Sequence, residues 1–212
     1  AQCATTMTPV VLECGGKDPV IVAADANLER AVDATIWSAM ANAGQSCIGA
    51  ERVYVDERVA DKFVELAVKL AKTIHAGAPG DGNYGPATMP SQIKVIQSHI
   101  KTAIKDGGSC AYGGPESVKP PFVQPVILLD VPEDSAAMRE ETFGPTIIIN
   151  RVKTMREAVE LSNASSYGLG ANVWSKRQGK RIASELACGM VAINSTFSFA
   201  AVASVPFGGV KD

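Results

Sequence analysis

Short apolar runs alternate with segments of helical periodicity along most of this chain of 212 residues. The apolar runs are rich in β-branched residues and are bounded by turn-forming residues, a pattern typical of buried strands. The runs predicted to form strands are residues 10–12, 19–23, 53–55, 122–129, 146–152, 170–174 and 190–194. Because strands that alternate with helices generally pair in parallel and are covered by those helices, the pattern predicts a three-layer α/β domain with a mainly parallel sheet.

The segments between these runs place apolar residues three or four positions apart, which gives each predicted helix one apolar face. Asp25 and Asn27 are candidate N-caps for the first helix, which is predicted to stop at Gly44. Further helices are predicted over residues 59–74, 90–106, 154–161 and 177–187. Thr154 and Glu157 would form a capping box at the start of the third of these. The chain has no internal repeat and no low-complexity linker, so one domain over residues 1–212 is the simplest interpretation.

The charge pattern and the cysteines exclude several classes of function. The formal net charge is -2 and no basic run occurs, so we expect no nucleic-acid partner and no binding to an anionic membrane surface. No apolar stretch is long enough to cross a bilayer. The cysteines are scattered at positions 3, 14, 47, 110 and 188, without the close spacing of a zinc site or a redox motif. We therefore expect no metal site, reduced thiols and a cytoplasmic location.

Two glycine-containing bends carry the residues best suited to chemistry. The first contains Glu13 and the second contains Cys47, which follows Glu13 by 34 positions. A thiolate can attack a carbonyl carbon, and a carboxylate can later activate the water that releases the acyl group. Because an ordinary thiol is mostly protonated at neutral pH, we expect backbone amides of the loop to lower the pKa of Cys47 and to stabilise the oxyanion. Taken singly, such a cysteine is more often a small buried hydrophobe, and such a glutamate a solvated turn residue.

Four blocks in order resemble the signatures of the NAD(P)-dependent aldehyde dehydrogenases: residues 12–17, 44–52, 140–145 and 206–211. The interval from Glu13 to Cys47 is also the one found in that family. The resemblance implies the fold of the family's catalytic domain and oxidation of an aldehyde to a carboxylic acid with NAD or NADP. Cys47 would form a thiohemiacetal, loss of hydride to the nicotinamide would give a thioester, and Glu13 would activate the hydrolytic water. Relatives that pass the acyl group to coenzyme A generally lack that carboxylate, so Glu13 favours hydrolytic release.

The resemblance also assigns cofactor residues. It implies that Glu141 grips the ribose hydroxyls of the nicotinamide nucleotide and that Phe143 packs near the nicotinamide. Gly15 would let the backbone approach the cofactor closely, because it has no Cβ. Without the other blocks, Glu141 would be interpreted as half of a solvated acidic pair. Lys17 is predicted to be structural rather than catalytic.

The segment near the C-terminal end lies where the family builds its aldehyde tunnel. Phe197, Phe199 and Phe207 could line an apolar entrance there, although ordinary core packing is an equal alternative for each of them. His75 and His99 are both predicted to lie at the surface. A cysteine hydrolase would need a histidine base, so this prediction disfavours one.

One sequence fingerprint is missing. No predicted strand is followed by Gly-x-Gly-x-x-Gly at the start of a helix. In the family, a separate dinucleotide-binding domain precedes the glutamate block, and an arm that pairs with a neighbouring subunit follows the last block. We therefore expect residues 1–212 to be the catalytic portion alone, with little activity in isolation, and the full-length protein to be a homodimer or homotetramer.

The sequence leaves several points open. It identifies neither the aldehyde nor the preferred cofactor, because the residues that read the ribose 2′ position would belong to the other domain. One alternative is an acyl-transferring or thioesterase-like enzyme that uses Cys47 without redox turnover. Another is a structural relative that has lost turnover, which the presence of Glu13, Cys47, Glu141 and Phe143 together disfavours.

Overall fold

A computed structural model describes residues 2–211 of the chain. With labels numbered in chain order, the strands are β1 Asp18–Val22, β2 Ala50–Asp56, β3 Ser109–Tyr112, β4 Val118–Lys119, β5 Phe122–Val123, β6 Val126–Leu129, β7 Thr146–Val152, β8 Gly170–Trp174 and β9 Met190–Ile193. The α-helices are α1 Gln2–Thr5, α2 Leu28–Met40, α3 Glu57–Ala71, α4 Pro90–Lys105, α5 Ala136–Arg139, α6 Met155–Asn163 and α7 Gly179–Ser184.

Seven of the strands form one sheet in the order β3-β6-β7-β2-β1-β8-β9. Every neighbouring pair is parallel except β3 and β6, which pair antiparallel at one edge. Strands β4 and β5 form a separate antiparallel pair. The predicted mainly parallel sheet is therefore confirmed.

Two apolar clusters cover the opposite faces of this sheet. Along β1, Val20 and Val22 belong to the cluster that also contains buried residues of α2 and α3, whereas Ile21 belongs to the other. Along β2, Tyr54 takes the same side as Ile21, together with buried residues of α4 and α6. Because successive side chains of a strand point to opposite faces, apolar residues at consecutive positions require helices on both sides. The prediction of three layers is confirmed.

The helix starts follow the predicted capping chemistry in most cases. Asn27 caps α2 by accepting the Arg30 N–H, and Thr154 caps α6 by accepting the Glu157 N–H. The reciprocal bond from Glu157 goes to the N–H of Lys153 rather than to that of Thr154. Asp25 is not a cap, since its carboxylate accepts the Ser175 hydroxyl and the Arg177 N–H. Within residues 2–211, no helix is both long enough and apolar enough to cross a membrane.

Three predicted strands and helices differ from the structure. Residues 10–12 form no strand and stay exposed, because no neighbouring strand satisfies their backbone groups. The predicted strand over residues 122–129 divides into β5 and β6, with Pro125, which lacks an N–H to donate to a ladder, between them. The predicted helix over residues 177–187 shortens to α7.

Two further differences concern β3, which was not predicted, and the end of the first predicted helix. Strand β3 escaped prediction because it is an edge strand with two exposed and two half-buried residues. The first predicted helix ends at Met40 and continues as a 3-10 turn in which Asn42 and Ala43 have φ of 53° and 59°. That turn redirects the chain just before Cys47.

Helix α4 offers a direct test of which helix face is buried. Ile100 is 1% exposed and Ile104, one turn later, is 38% exposed. Ile100→Ala should lower the free energy of unfolding by about 2–5 kcal/mol, because it removes buried methyl groups and leaves a cavity. The matched change Ile104→Ala should cost about 1 kcal/mol or less, since its side chain already contacts water. Urea denaturation of both variants measures this, and equal losses would contradict the packing of α4.

Candidate active site

The segments that lead into β1, β2, β7 and β8 meet at the amino-terminal ends of these strands, a region that we call the amino edge. Gly15 and Gly16 precede β1, Cys47 precedes β2, and residues 141–143 precede β7. Because these strands are parallel neighbours, their amino ends lie side by side. Ligands of open α/β sheets more often bind beyond the carboxyl ends of strands, so this arrangement departs from the usual rule.

Close backbone approaches join these segments. A Cβ on Gly16 would overlap the carbonyl oxygen of Cys47, so only glycine fits there. Gly15 has φ of +116°, which favours glycine, and a Cβ there would lie 2.9 Å from Oε2 of Glu141. The N–H of Gly16 donates to Oε1 of Glu141 at 2.8 Å. Gly15 and Gly16 therefore allow the segments that carry Cys47 and Glu141 to lie close together.

Cys47 is half-buried beside a small apolar cluster formed by Ile48, Leu169, Met190, Ala192 and Phe199. Burial raises the pKa of Cys47, and the Asp18 and Glu141 carboxylates act in the same direction. The backbone N–H groups of Cys47 and Ile48 lower the pKa but do not outweigh burial. The loop amides therefore act on the pKa of Cys47 in the expected direction, but burial reverses the net change.

Glu13 is exposed. Its Oε1 lies 3.6 Å from the position that a Cβ on Gly208 would occupy, so the first block lies beside the last. The Glu13 carboxylate is therefore in contact with solvent.

Glu141 and Phe143 line the same small pocket. Glu141 is half-buried and burial raises its pKa, although the Gly16 N–H opposes this. Phe143 is half-buried and has φ of 51°. The pocket has a volume of about 240 Å³, and its remaining lining residues are Gln45, Thr88, Met89 and Gln92. The structure thus brings the two predicted cofactor residues together.

The three predicted tunnel phenylalanines divide into two groups. Phe199 is buried in the apolar cluster beside Cys47, and Phe197 packs against it. Phe207 is 42% exposed and lies outside that cluster. Phe197 also makes an edge-to-face contact with Trp37, with ring centroids 5.2 Å apart. Trp37 was missed because it lies off the apolar face of α2, and its 58% exposure is not visible in the sequence.

A buried polar network lies behind Glu141. Lys17 donates to the Glu51 carboxylate and, at 3.1 Å, to Oγ1 of Thr142. Burial lowers the pKa of Lys17, and Glu51 opposes that change. The structural role predicted for Lys17 fits these contacts, whereas no motif in the sequence points to Glu51.

His99 belongs to the same network, so its predicted surface position is wrong. It is 5% exposed, with Nδ1 3.1 Å from Oγ1 of Thr142 and Nε2 3.4 Å from the Glu140 carboxylate. His99 is the buried polar residue of α4, whereas Lys94, Ser98 and Lys101 on the same helix are exposed. Burial lowers the pKa of His99. His75 is exposed, as predicted.

Asp18 is a second buried acid that sequence reasoning missed. Its Oδ1 accepts the Gly170 N–H at 3.0 Å, and its Oδ2 has no hydrogen-bond partner among residues 2–211. Burial raises the pKa of Asp18 to about 8, against the effects of the Gly170 N–H and the Arg52 guanidinium. Asp18 is therefore mostly neutral at pH 7 and becomes charged as the pH rises through its pKa of about 8. In the described part of the chain, no group of three His, Cys, Asp or Glu residues could hold a metal ion.

These positions predict a pH effect on the thiol. Above pH 8 the ionised Asp18 opposes formation of the Cys47 thiolate, so Asp18→Asn should lower the pKa of Cys47. Alkylation of Cys47 at pH 9 should become about twofold to tenfold faster, since one pKa unit is a tenfold change. Iodoacetamide labelling from pH 6 to 10, followed by peptide mass spectrometry, measures this. Asp25→Asn, at the opposite edge of the sheet, is the control. An unchanged pH profile in Asp18→Asn would contradict the coupling.

A comparison with protein-family models matches residues 1–212 to the model described as the aldehyde dehydrogenase family. Curated relatives align over nearly the whole chain. The 4,4'-diapolycopene aldehyde oxidase of Methylomonas sp is 38% identical over 205 residues, which cover 96% of this chain and 38% of that protein. The succinate-semialdehyde dehydrogenase (NADP+) of Deinococcus radiodurans is 40% identical over 209 residues, which cover 95% of this chain and 43% of that protein. The chain thus spans about two fifths of the length of these relatives.

A solved structure agrees with the sequence comparisons. The NAD+ complex of an aldehyde dehydrogenase from Bacillus cereus matches with a TM-score of 0.91 at 34% sequence identity. The match covers 99% of this chain and 43% of that chain. This superposition, together with the sheet topology, confirms the predicted fold class.

Proposed function

This chain belongs to the aldehyde dehydrogenase family, and we propose that the full-length protein oxidises an aldehyde to a carboxylic acid with NAD or NADP. The observation that carries the proposal is the meeting of Cys47, Glu141 and Phe143 at the amino edge. Cys47 supplies a nucleophile, Glu141 a carboxylate suited to ribose hydroxyls, and Phe143 an aromatic ring. Close contacts at Gly15 and Gly16 hold the segments of these residues together.

In the proposed reaction, Sγ of Cys47 attacks the aldehyde carbon and forms a thiohemiacetal. The cofactor, when bound, accepts the hydride that leaves this carbon, and loss of the hydroxyl proton completes the thioester. Backbone N–H groups beside Cys47 stabilise the oxyanion, because donors fixed in place lose no energy to reorganisation. Glu13 then takes a proton from the water that attacks the thioester, which releases the acid and restores the thiol.

The pocket beside Glu141 fits one end of a dinucleotide. Its volume of about 240 Å³ is below the range of roughly 300–1,000 Å³ common for small-molecule sites. We therefore assign it the nicotinamide and its ribose, held by Glu141 and Phe143 with Gly15 as the point of close approach. Other parts of the full-length protein would bind the rest of the cofactor. Residues 1–212 would then be the catalytic portion, and alone would bind NAD weakly and turn over little.

The aromatic residues supply the proposed aldehyde entrance. Phe197 and Phe199 lie with Cys47 and would contact the substrate chain. Phe207 would join them only if other parts of the protein cover it, since its ring is now partly in water. The relatives' names include both NAD and NADP and different aldehydes, so the proposal commits to neither.

The assembly and location are extensions of the same proposal. A homodimer or homotetramer would bury apolar residues such as Val205 and Val210, which are 45% and 62% exposed. The five free cysteines support a reducing, cytoplasmic setting. The thioesterase-like alternative finds no support in the histidines. His99 is held by Thr142 and Glu140, and Nε2 of His75 lies 2.6 Å from the Asp81 carbonyl.

Substitution of Glu13 separates the two halves of the reaction. In the full-length enzyme, Glu13→Gln should preserve a burst of reduced cofactor while steady turnover falls about a hundredfold. Acylation and hydride transfer precede the attack of water, and only that last step needs the base. Stopped-flow absorbance at the reduced-cofactor band measures both phases.

The exposed Glu65, which pairs with Lys62 on α3, provides the matched control Glu65→Gln. It should behave as the unsubstituted enzyme in both phases. Equal loss of burst and steady rate in Glu13→Gln would mean that Glu13 acts earlier, for example in deprotonating Cys47.

A further inference from the structure

Glu51 is a buried carboxylate that joins three segments of the amino edge. It lies at the start of β2, four positions after Cys47, and is 5% exposed. Its Oε2 accepts from Nζ of Lys17, in the segment that carries Gly15 and Gly16. Its two oxygens accept the N–H of Thr142 at 2.9 and 3.1 Å, and Oε1 accepts the N–H of Phe143 at 2.9 Å.

The proposed reaction gives Glu51 no chemical role. Burying its carboxylate nevertheless costs free energy unless a cation and hydrogen-bond donors compensate the charge. An ionised carboxylate placed away from water needs a cation and hydrogen-bond donors. Lys17 supplies the cation, and the two backbone N–H groups supply the remaining donors. Glu51 therefore connects the segment of residues 140–143 to both other segments of the site.

The segment that Glu51 holds does not sit in a relaxed conformation. Phe143 has φ of 51°, in the left-handed region that non-glycine residues seldom occupy. Such backbone persists where surrounding contacts hold it. Glu51 binds the N–H groups on one side, while Nε2 of Gln92 donates to the Thr142 carbonyl at 2.6 Å on the other.

Glu141 immediately precedes Thr142 and Phe143, the residues whose backbone N–H groups Glu51 accepts. Oε1 of Glu141 accepts the Gly16 N–H at 2.8 Å, which links the Glu141 segment to the segment that carries Lys17. Glu51 links the same two segments through Lys17 and the backbone N–H groups that it accepts. If residues 142 and 143 shift, the Glu141 carboxylate and the Phe143 ring shift with them. The position of both cofactor residues thus depends on a carboxylate that does not line their pocket.

We infer that Glu51, paired with Lys17, is a positioning residue that sets Glu141 and Phe143 for contact with the nicotinamide end of the cofactor. The inference rests on the proposed function of Glu141 and adds a residue to it. Glu51 acts through the backbone of residues 142 and 143 and touches neither substrate nor cofactor.

The test uses Glu51→Gln in the full-length enzyme, with steady-state kinetics against NAD, NADP and an aldehyde. Glutamine keeps the size but replaces one acceptor oxygen with a donor and leaves Lys17 without its counter-charge. The KM for the preferred cofactor should rise about tenfold or more, as expected for loss of hydrogen bonds to a charged group. The KM for the aldehyde should change less than about threefold, since the Phe197 and Phe199 cluster is untouched.

The matched control is Asp56→Asn at the other end of β2. Asp56 is 2% exposed and, like Glu51, accepts a backbone N–H and pairs with a cation, in this case Arg58. Thermal unfolding of both variants establishes how much stability each loses. A cofactor KM no higher in Glu51→Gln than in Asp56→Asn, or equal rises in cofactor and aldehyde KM, would show a merely structural role and overturn the inference.

A double-mutant cycle with Glu141→Gln tests the route of action. If Glu51 works through the Glu141 segment, Glu51→Gln should raise the cofactor KM much less in the Glu141→Gln background than alone. Independent, multiplicative effects would overturn the inference. If Glu141→Gln leaves the cofactor KM unchanged, the proposed function of Glu141 fails and this inference fails with it. If Glu141→Gln raises the KM and Glu51→Gln does not, only the inference fails.

A second variant keeps the inference testable if Glu51→Gln does not fold. Glu51→Asp retains the charge beside Lys17 but is one methylene shorter, so it cannot reach Lys17 and both N–H groups together. The same selective rise in cofactor KM is expected, and an unchanged cofactor KM in folded Glu51→Asp would overturn the inference.

Discussion

Parallel pairing of β7, β2, β1 and β8 is the constraint on which the candidate site depends. Parallel neighbours present their amino ends at one edge, so the segments that precede these strands must meet there, although they are far apart in sequence. Cys47, Gly15, Gly16 and residues 141–143 all lie in such segments. Helices cover both faces of the sheet and bury its apolar side chains. The topology therefore brings these segments together at the amino edge, before any contact among their side chains is considered.

Buried charge then refines what topology places. The Lys17–Glu51 pair ties two segments together, while Asp18 and Glu141 surround the nucleophile with acidic groups. Burial and these acids raise the pKa of Cys47. The proposed attack by Cys47 therefore requires a group that removes the thiol proton or supplies positive charge nearby. Because Asp18 stays mostly neutral at pH 7, its burial does not require an unpaired charge to be removed from water.

The sequence predicted the parts of this structure that depend on local pattern. Strands with consecutive buried residues, such as β2 and β7, and helices with a regular apolar face, such as α4, were found because periodicity reports burial directly. The strand predicted over residues 10–12 was wrong, because an apolar run does not reveal whether a neighbouring strand exists. The segments carrying Cys47, Glu13, Glu141 and Phe143 could be found from their motifs. Glu51, Asp18 and the burial of His99 could not, because their partners lie tens of positions away and pair only once the sheet has formed.

In the proposed reaction, Cys47 carries the acyl group during turnover. Rapid acid quenching of the full-length enzyme in its first turnover with aldehyde and cofactor, followed by peptide mass spectrometry, tests it most directly. We expect the peptide containing Cys47 to gain the mass of the aldehyde less two hydrogen atoms, and hydroxylamine to remove the adduct as it would a thioester. An acyl group on another cysteine, or active turnover with Cys47 replaced by Ser at the same rate, would contradict the account.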